Sequence, residues 1–236
     1  VTIEPFGDQA VRVIFGDRIA PSVQQEISRF IRLFDQKSFN GFIEYVPSYT
    51  NIVFYYNPLE VIEGGRKDTS AQSQVIDFLT GLSRCTFESV DQGSPRRVIH
   101  IPVCYGGDFG PDLDEVADLH HLSASELIHR HSAPEYLVYM LGFAPGFPFL
   151  GGLPEELATP RRATPRLKIA AGSVGIAGRQ TGAYPLDSPG GWQIIGRTPV
   201  PLFTPETDPP TLLQAGDLVK FDPISEREFE RIKGTR

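Results

Sequence analysis

The chain has 236 residues, 40% hydrophobic and 22% charged, and its 29 acids against 22 Lys and Arg leave a formal charge of −7. That composition supports one large domain or two smaller ones with a real core and argues against disorder. The negative balance opposes general affinity for polyphosphate backbones or anionic lipid, and no run reaches the roughly 20 apolar residues of a membrane-spanning helix.

The first twenty residues scatter Glu4, Asp8 and Asp17 and lack a charged-then-apolar signal layout. Ala10–Phe15 reads as a strand. Pro21 then opens a helix whose Val23, Ile27, Phe30, Ile31 and Phe34 form one apolar stripe. Residues 42–46 and 51–56 read as two strands joined by a turn at 47–50, and 63–68 as a polar loop. A second helix carries Val75, Phe78, Leu79 and Leu82 on one face, and Thr86–Val90 is expected to be a closing strand. The order β-α-β-β-α-β is the split arrangement of ferredoxin-like domains, a fold that says little about chemistry. Cys85 and Cys104 stand without a CxxC or a His/Cys cluster, which predicts two small core thiols and a reducing, cytoplasmic setting.

Asp91–Pro95 reads as a linker, giving a first domain over 1–92 and a second over 93–236. Val98–Cys104 is strand-like, Gly110-Pro111 starts a short helix, and Ser123-Ala-Ser-Glu126 is a capping box. From Leu141 to Gly196 lie 11 of the 23 glycines and 7 of the 21 prolines, so short strands between tight turns are expected, as in a small closed barrel. Ala215–Phe221 reads as a turn and final strand, and Ser225 begins a terminal helix.

Chemistry concentrates in the turn-rich half. Gly142-Phe-Ala-Pro-Gly-Phe-Pro-Phe-Leu-Gly151 cannot form an ordinary helix; its rings either plug one end of the barrel or line a pocket or partner-docking surface. Thr159–Phe203 carries Arg161, Arg162, Arg166, Lys168, Arg179 and Arg197 against one acid, Asp187. Such a reversal inside an acidic chain favours a small carboxylate or phosphate, or else protects exposed strand edges. Ala171–Gly178 is neither a Walker A loop nor a dinucleotide fingerprint, although its backbone N–H groups with Ser173 suit a small anion nest. Trp192, the only tryptophan, follows two glycines and reads either as core or as facing a cavity. The five histidines form no metal pattern, His131 suits a helix C-terminus, and no Ser-His-Asp set is evident.

Five segments taken in order are specific as a set: Ile101-Pro-Val-Cys-Tyr-Gly-Gly107 with Gly110-Pro-Asp-Leu113, Gly142-Phe-Ala-Pro-Gly-Phe147, Pro165-Arg166, Gly172-Ser-Val-Gly175 and Ser188-Pro-Gly-Gly-Trp-Gln193. Through them the chain resembles the family of 5-oxoprolinase B-type subunits, formerly termed allophanate hydrolase subunit 1, which includes the kinase inhibitor KipI. The resemblance implies an α+β protein, a ferredoxin-like N-terminal domain followed by a cyclophilin-like β-barrel. It implies assembly with a larger cyclophilin-like C-type partner and an A-type partner into an ATP-dependent enzyme, using Mg, that opens 5-oxo-L-proline to L-glutamate. The resemblance leaves two places for the nucleotide, this chain or, as the main site, the partner. In that setting Arg166, Ser173 and Gln180 are expected to hold the anionic substrate or phosphate, Phe143, Phe147, Tyr184 and Trp192 to shape the pocket, and Tyr105 or His131 to move protons; no metal ligand is expected. The alternative is a KipI-like inhibitor of a sensor histidine kinase, and peptidyl-prolyl isomerisation rests on fold analogy alone.

Overall fold

A computed structural model describes residues 1–88 and 96–235 and shows two units, Val1–Pro95 and Arg96–Arg236, each with its own core. The N-terminal unit runs β1 (Thr2–Pro5), β2 (Ala10–Ile14), α1 (Pro21–Gln36), β3 (Phe42–Pro47), β4 (Asn51–Tyr56), α2 (Pro58–Gly64) and α3 (Ala71–Glu88). Period-two alternation buries Val11 and Val13 of β2 with Ile52, Phe54 and Tyr56 of β4. Helical spacing on α1 brings Ile27, Phe30 and Phe34 onto the same face, and Phe34 meets Phe42 and Phe54 at centroid distances of 4.7 and 4.8 Å.

The sheet order is β1-β2-β4-β3, antiparallel throughout. This keeps the ferredoxin-like strand order, but the fourth strand is not the one expected at 86–90. α3 continues through Glu88, and the edge beside β2 is filled by the N-terminal β1, tied across the ladder by an Arg12–Glu4 ion pair. Helix propagation explains the difference. No proline interrupts Ala71–Glu88 and the helix carries through Gly81, so each added residue gains a bond that β propensity at Thr86 and Phe87 does not outweigh. Val90 and the Asp91–Pro95 linker lie outside the described residues. α2 starts where a loop was expected nearby, capped by the Asn57 side chain with Pro58 in its first turn. Cys85, near the C-terminal end of α3, is exposed, contrary to expectation; Cys104 is buried.

The second unit contains β5 (Val98–Tyr105), α4 (Leu113–Leu119), α5 (Ala124–Ser132), β6 (Tyr136–Leu141), β7 (Pro148–Gly151), β8 (Arg166–Ile169), β9 (Ser173–Ala177), β10 (Gln180–Ala183), β11 (Ser188–Gly190), β12 (Gln193–Arg197), β13 (Leu218–Pro223) and α6 (Glu226–Gly234). Seven strands close a barrel in the order β10-β7-β6-β13-β5-β12-β9, with the β9–β10 hairpin completing the ring. Closure removes the unpaired edges that short strands otherwise expose. The pair β5–β13 is parallel and the other barrel pairs are antiparallel. Val103, Val138, Leu150, Val174, Ile176, Ala183, Ile195, Val219 and Phe221 fill the interior. β8 and β11 form a separate two-stranded ribbon. The expected capping box at Ser123–Glu126 is present and recurs at Ser225–Glu228, each closing two helix N-terminal donors. Among the described residues, no helix is long and apolar enough to cross a membrane.

Candidate functional site

Alternation along three barrel strands sorts side chains onto two faces. On β10, Thr181 and Ala183 point inward while Gly182 and the following Tyr184 face outward; on β9, Val174 and Ile176 point inward while Gly175 and Ala177 face outward. A bulge between Ile194 and Gly196 lets Ile194 join the outer cluster and Ile195 the core. The outer face therefore carries a second apolar cluster of Phe147, Ile169, Ala177, Tyr184, Trp192 and Ile194. Gly182 makes room for it, since a Cβ there would sit 3.2 Å from the Trp192 ring.

Phe147 is the hub of this platform. Its ring lies 5.5 Å from Phe143, 5.2 Å from Phe149, 5.4 Å from Tyr184 and 5.6 Å from Trp192, each edge-to-face. The four expected pocket residues Phe143, Phe147, Tyr184 and Trp192 are thus assembled in one place, around a cluster separate from the barrel interior. The loop bearing the first two is pinned by Gly142 N–H to Phe147 O (3.1 Å) and Phe147 N–H to Ala144 O (3.0 Å). Phe143 adopts φ 68° and leaves 72% of its surface in water. A bulky side chain rarely adopts that backbone region, and here burial does not repay the strain. It borders a groove of about 350 Å³ lined by Leu141–Gly146 and Thr211.

The cations are mostly committed. Asp112, 2% exposed, accepts from Arg162 Nη1 (2.8 Å), from Arg166 Nη1 (2.9 Å) and Nη2 (2.7 Å), and from the Ile194 N–H (2.6 Å). Hydrogen bonding to Asp112 raises the Arg166 pKa, and the fork–fork pair uses both terminal nitrogens. Arg166 therefore ties the ribbon to β12 and is not an open anion holder, a correction whose cause is a buried carboxylate the sequence reading passed over. Asp112 stands in the Gly110-Pro-Asp-Leu113 segment before α4, where an acid reads as a helix cap; here it makes no cap bond. Lys168 pairs with Asp187 at 2.8 Å and Arg179 with Glu155 at 2.9 Å, while Arg197 Nε donates to Ala171 O at 2.8 Å. Arg161 is exposed and has no ion-pair partner among the described residues.

Ser173 and Gln180 do not converge. Ser173 is buried beside Tyr184, whose N–H donates to its carbonyl at 2.8 Å, whereas Gln180 faces Ala177 at the other end of the same ladder. Four residues of strand separate them, roughly 13 Å. The expected anion nest at 171–178 is also absent as such. Ala171 N–H donates to Asp187, Gly172 N–H to Tyr184 O and Ser173 N–H to Ala170 O, and Ser173–Ala177 is ladder on both sides.

His131 and Tyr105 lie on the inner face, away from the platform. Thr181 Oγ1 donates to Gly175 O (3.0 Å), so it accepts from His131 Nε2–H (2.8 Å); that leaves Nδ1 to accept from the Tyr105 hydroxyl (2.9 Å). His131 is fully buried, stacks on Phe221 at 5.0 Å, and has its pKa pushed down by burial to about 3. Burial likewise raises Tyr105 far above the usual phenol value. A neutral imidazole in a closed chain of three hydrogen bonds holds α5 to β5 and β10. It is a core network.

The profile of the family described as "Carboxyltransferase domain, subdomain C and D" matches residues 1–213. The chain is 46% identical over 233 residues to the protein named as the B subunit of 5-oxoprolinase in Bacillus subtilis, covering 98% of this chain and 96% of that one. Among solved structures, a conserved uncharacterized protein of Pyrococcus horikoshii is 42% identical with TM-score 0.55, covering 97% of this chain and 100% of that one. TTHA0988 is 32% identical with TM-score 0.77 over 92% of this chain, but the match spans only 40% of that longer chain. A full-length match at this identity places the chain in the family of 5-oxoprolinase B-type subunits, built on the carboxyltransferase subdomain C and D module.

Proposed function

We propose that this chain is the B-type component of a multi-subunit ATP-dependent 5-oxoprolinase, cleaving 5-oxo-L-proline to L-glutamate only with its A-type and C-type partners, in the cytoplasm. The observation that carries the reading is the end-to-end 46% identity with the Bacillus subtilis protein of that name. The platform supports it physically. The buried rings around Phe147 give the exposed Phe143 ring and its groove a rigid backing, and a partner that closes this surface would exclude water and strengthen any charged contact at its rim. Phe143 and its groove are the surface on which a larger barrel partner would dock and complete the cleft, with an exposed ring as anchor.

The residues present do not fit Mg-bound ATP on this chain. The glycine-rich N–H groups are already paired, and among the described residues no three His, Cys, Asp or Glu side chains cluster to hold a metal ion. ATP binding is accordingly proposed for the partners, and the part of this chain is to seat the lactam and keep its ring oriented. Mixing the three purified components and assaying ATP-dependent glutamate release tests the reading. Release with all three and none when any is omitted is expected. No release from the full mixture, with tight binding to a sensor histidine kinase instead, overturns it.

A further inference from the structure

We infer that Arg161 and the Tyr184 hydroxyl form a carboxylate-recognition edge beside the buried aromatic cluster, taking a small ring by its acid group. The inference deepens the oxoprolinase reading and rests on it only for the identity of the ring.

Of the six cations in 159–203, four are ion-paired and Arg197 is bound to a carbonyl, which leaves Arg161 as the one whose charge meets no acid among the described residues. The backbone locates it. Arg162 N–H donates to Gly191 O at 2.8 Å, fixing the 161–162 segment beside the Gly190-Gly191 turn. Gly190 in turn abuts the phenol, since a Cβ there would fall 2.5 Å from the Tyr184 oxygen. Arg161 thus belongs to the hydroxyl end of Tyr184, and its positive charge is felt at that phenol.

Tyr184 has the complementary feature. Its residue is 2% exposed, with the ring packed at 5.4 Å from Phe147 and 6.1 Å from Trp192, yet no described group pairs with its hydroxyl. That oxygen is not among the sealed, partnerless polar atoms, so its tip reaches solvent. Burial pushes the phenol to about 12, which keeps it a neutral O–H donor at physiological pH. The acids that could neutralise this edge are occupied: Asp112 by four donors, Asp187 by Lys168 and the Ala171 N–H. One exposed cation with no acid partner and one solvent-reaching hydroxyl donor, side by side at the margin of the buried aromatic cluster, suit a carboxylate.

Trp192 is the only tryptophan, so its fluorescence and its single indole N–H resonance report on this platform alone. The full chain titrated with 5-oxo-L-proline should give a saturable Trp192 response. Arg161→Ala should weaken it about ten-fold or more, Arg161→Lys less, and Tyr184→Phe by about three-fold. The control is 2-pyrrolidinone, the same ring without the carboxylate, whose weaker binding should be unchanged by Arg161→Ala. Absence of a wild-type response, wild-type affinity in Arg161→Ala, or 2-pyrrolidinone binding as tightly as the acid each overturns the inference. Arg161-dependent binding without glutamate release by the assembled enzyme would remove the oxoprolinase reading and leave the carboxylate site. Release that ignores Arg161 would do the reverse.

Discussion

Two faces of one barrel wall differ in what they leave open. On the inner face, Thr181, His131 and Tyr105 satisfy one another in a closed chain of hydrogen bonds. One and three residues further along the same polypeptide, Gly182 and Tyr184 face outward, and there the Tyr184 hydroxyl, Arg161 and the Phe143 ring are left without partners or in water. Alternation with a period of two thus lets one strand serve stability and recognition at once, provided that each polar group is closed on one face and open on the other. Residue type does not tell them apart. A buried His beside a Tyr resembles a proton relay in sequence, but its satisfied geometry and depressed basicity make it a strut.

Breaking the closed groups should cost stability most. Asp112→Ala would strand Arg162 and Arg166 half-buried without their carboxylate, an expected loss of about 3–5 kcal/mol readable as a lowered denaturant midpoint. Phe147→Ala removes the hub of the outer cluster and should cost about 3–4 kcal/mol in the same measurement. His131 sharpens the contrast through pH. Its folded pKa near 3 lies below the ordinary 6.5, so the unfolded chain binds one more proton between those values. Stability from this group is therefore complete above about pH 6.5 and falls with acidification by up to about 1.4 kcal/mol per pH unit until about pH 3. His131→Gln should flatten that slope in urea melts recorded from pH 7 to 4. At the small end, Tyr184→Phe should leave stability within about 0.5 kcal/mol, because its hydroxyl has no partner to lose.

Much of the fold is legible in the sequence. The apolar stripe of Ile27, Phe30 and Phe34, the 42–56 hairpin, the Ser123 capping box and the glycine-punctuated barrel are local patterns, and local patterns survive folding. What failed is non-local. The strand expected at 86–90 gave way to helix continuity while the N-terminal Thr2–Pro5 took the edge, a choice settled by sheet pairing across the unit. The candidate site divides the same way. The rings were identifiable by composition and do meet, but which cation stays open depends on where Asp112 lies in space, 50 residues from Arg162 and 54 from Arg166 along the chain. Likewise Ser173 and Gln180 are close in sequence and share one hairpin, yet occupy its opposite ends.

Phe143→Ala gives the most direct test of the claim that the outer face of the barrel wall is the working surface. The ring is 72% exposed, so folding does not depend on it. In the assembled three-component enzyme, an unchanged melting temperature with at least about a ten-fold fall in glutamate release, through lost assembly or lost turnover, is the predicted result. Wild-type release and wild-type assembly in that variant would contradict the account.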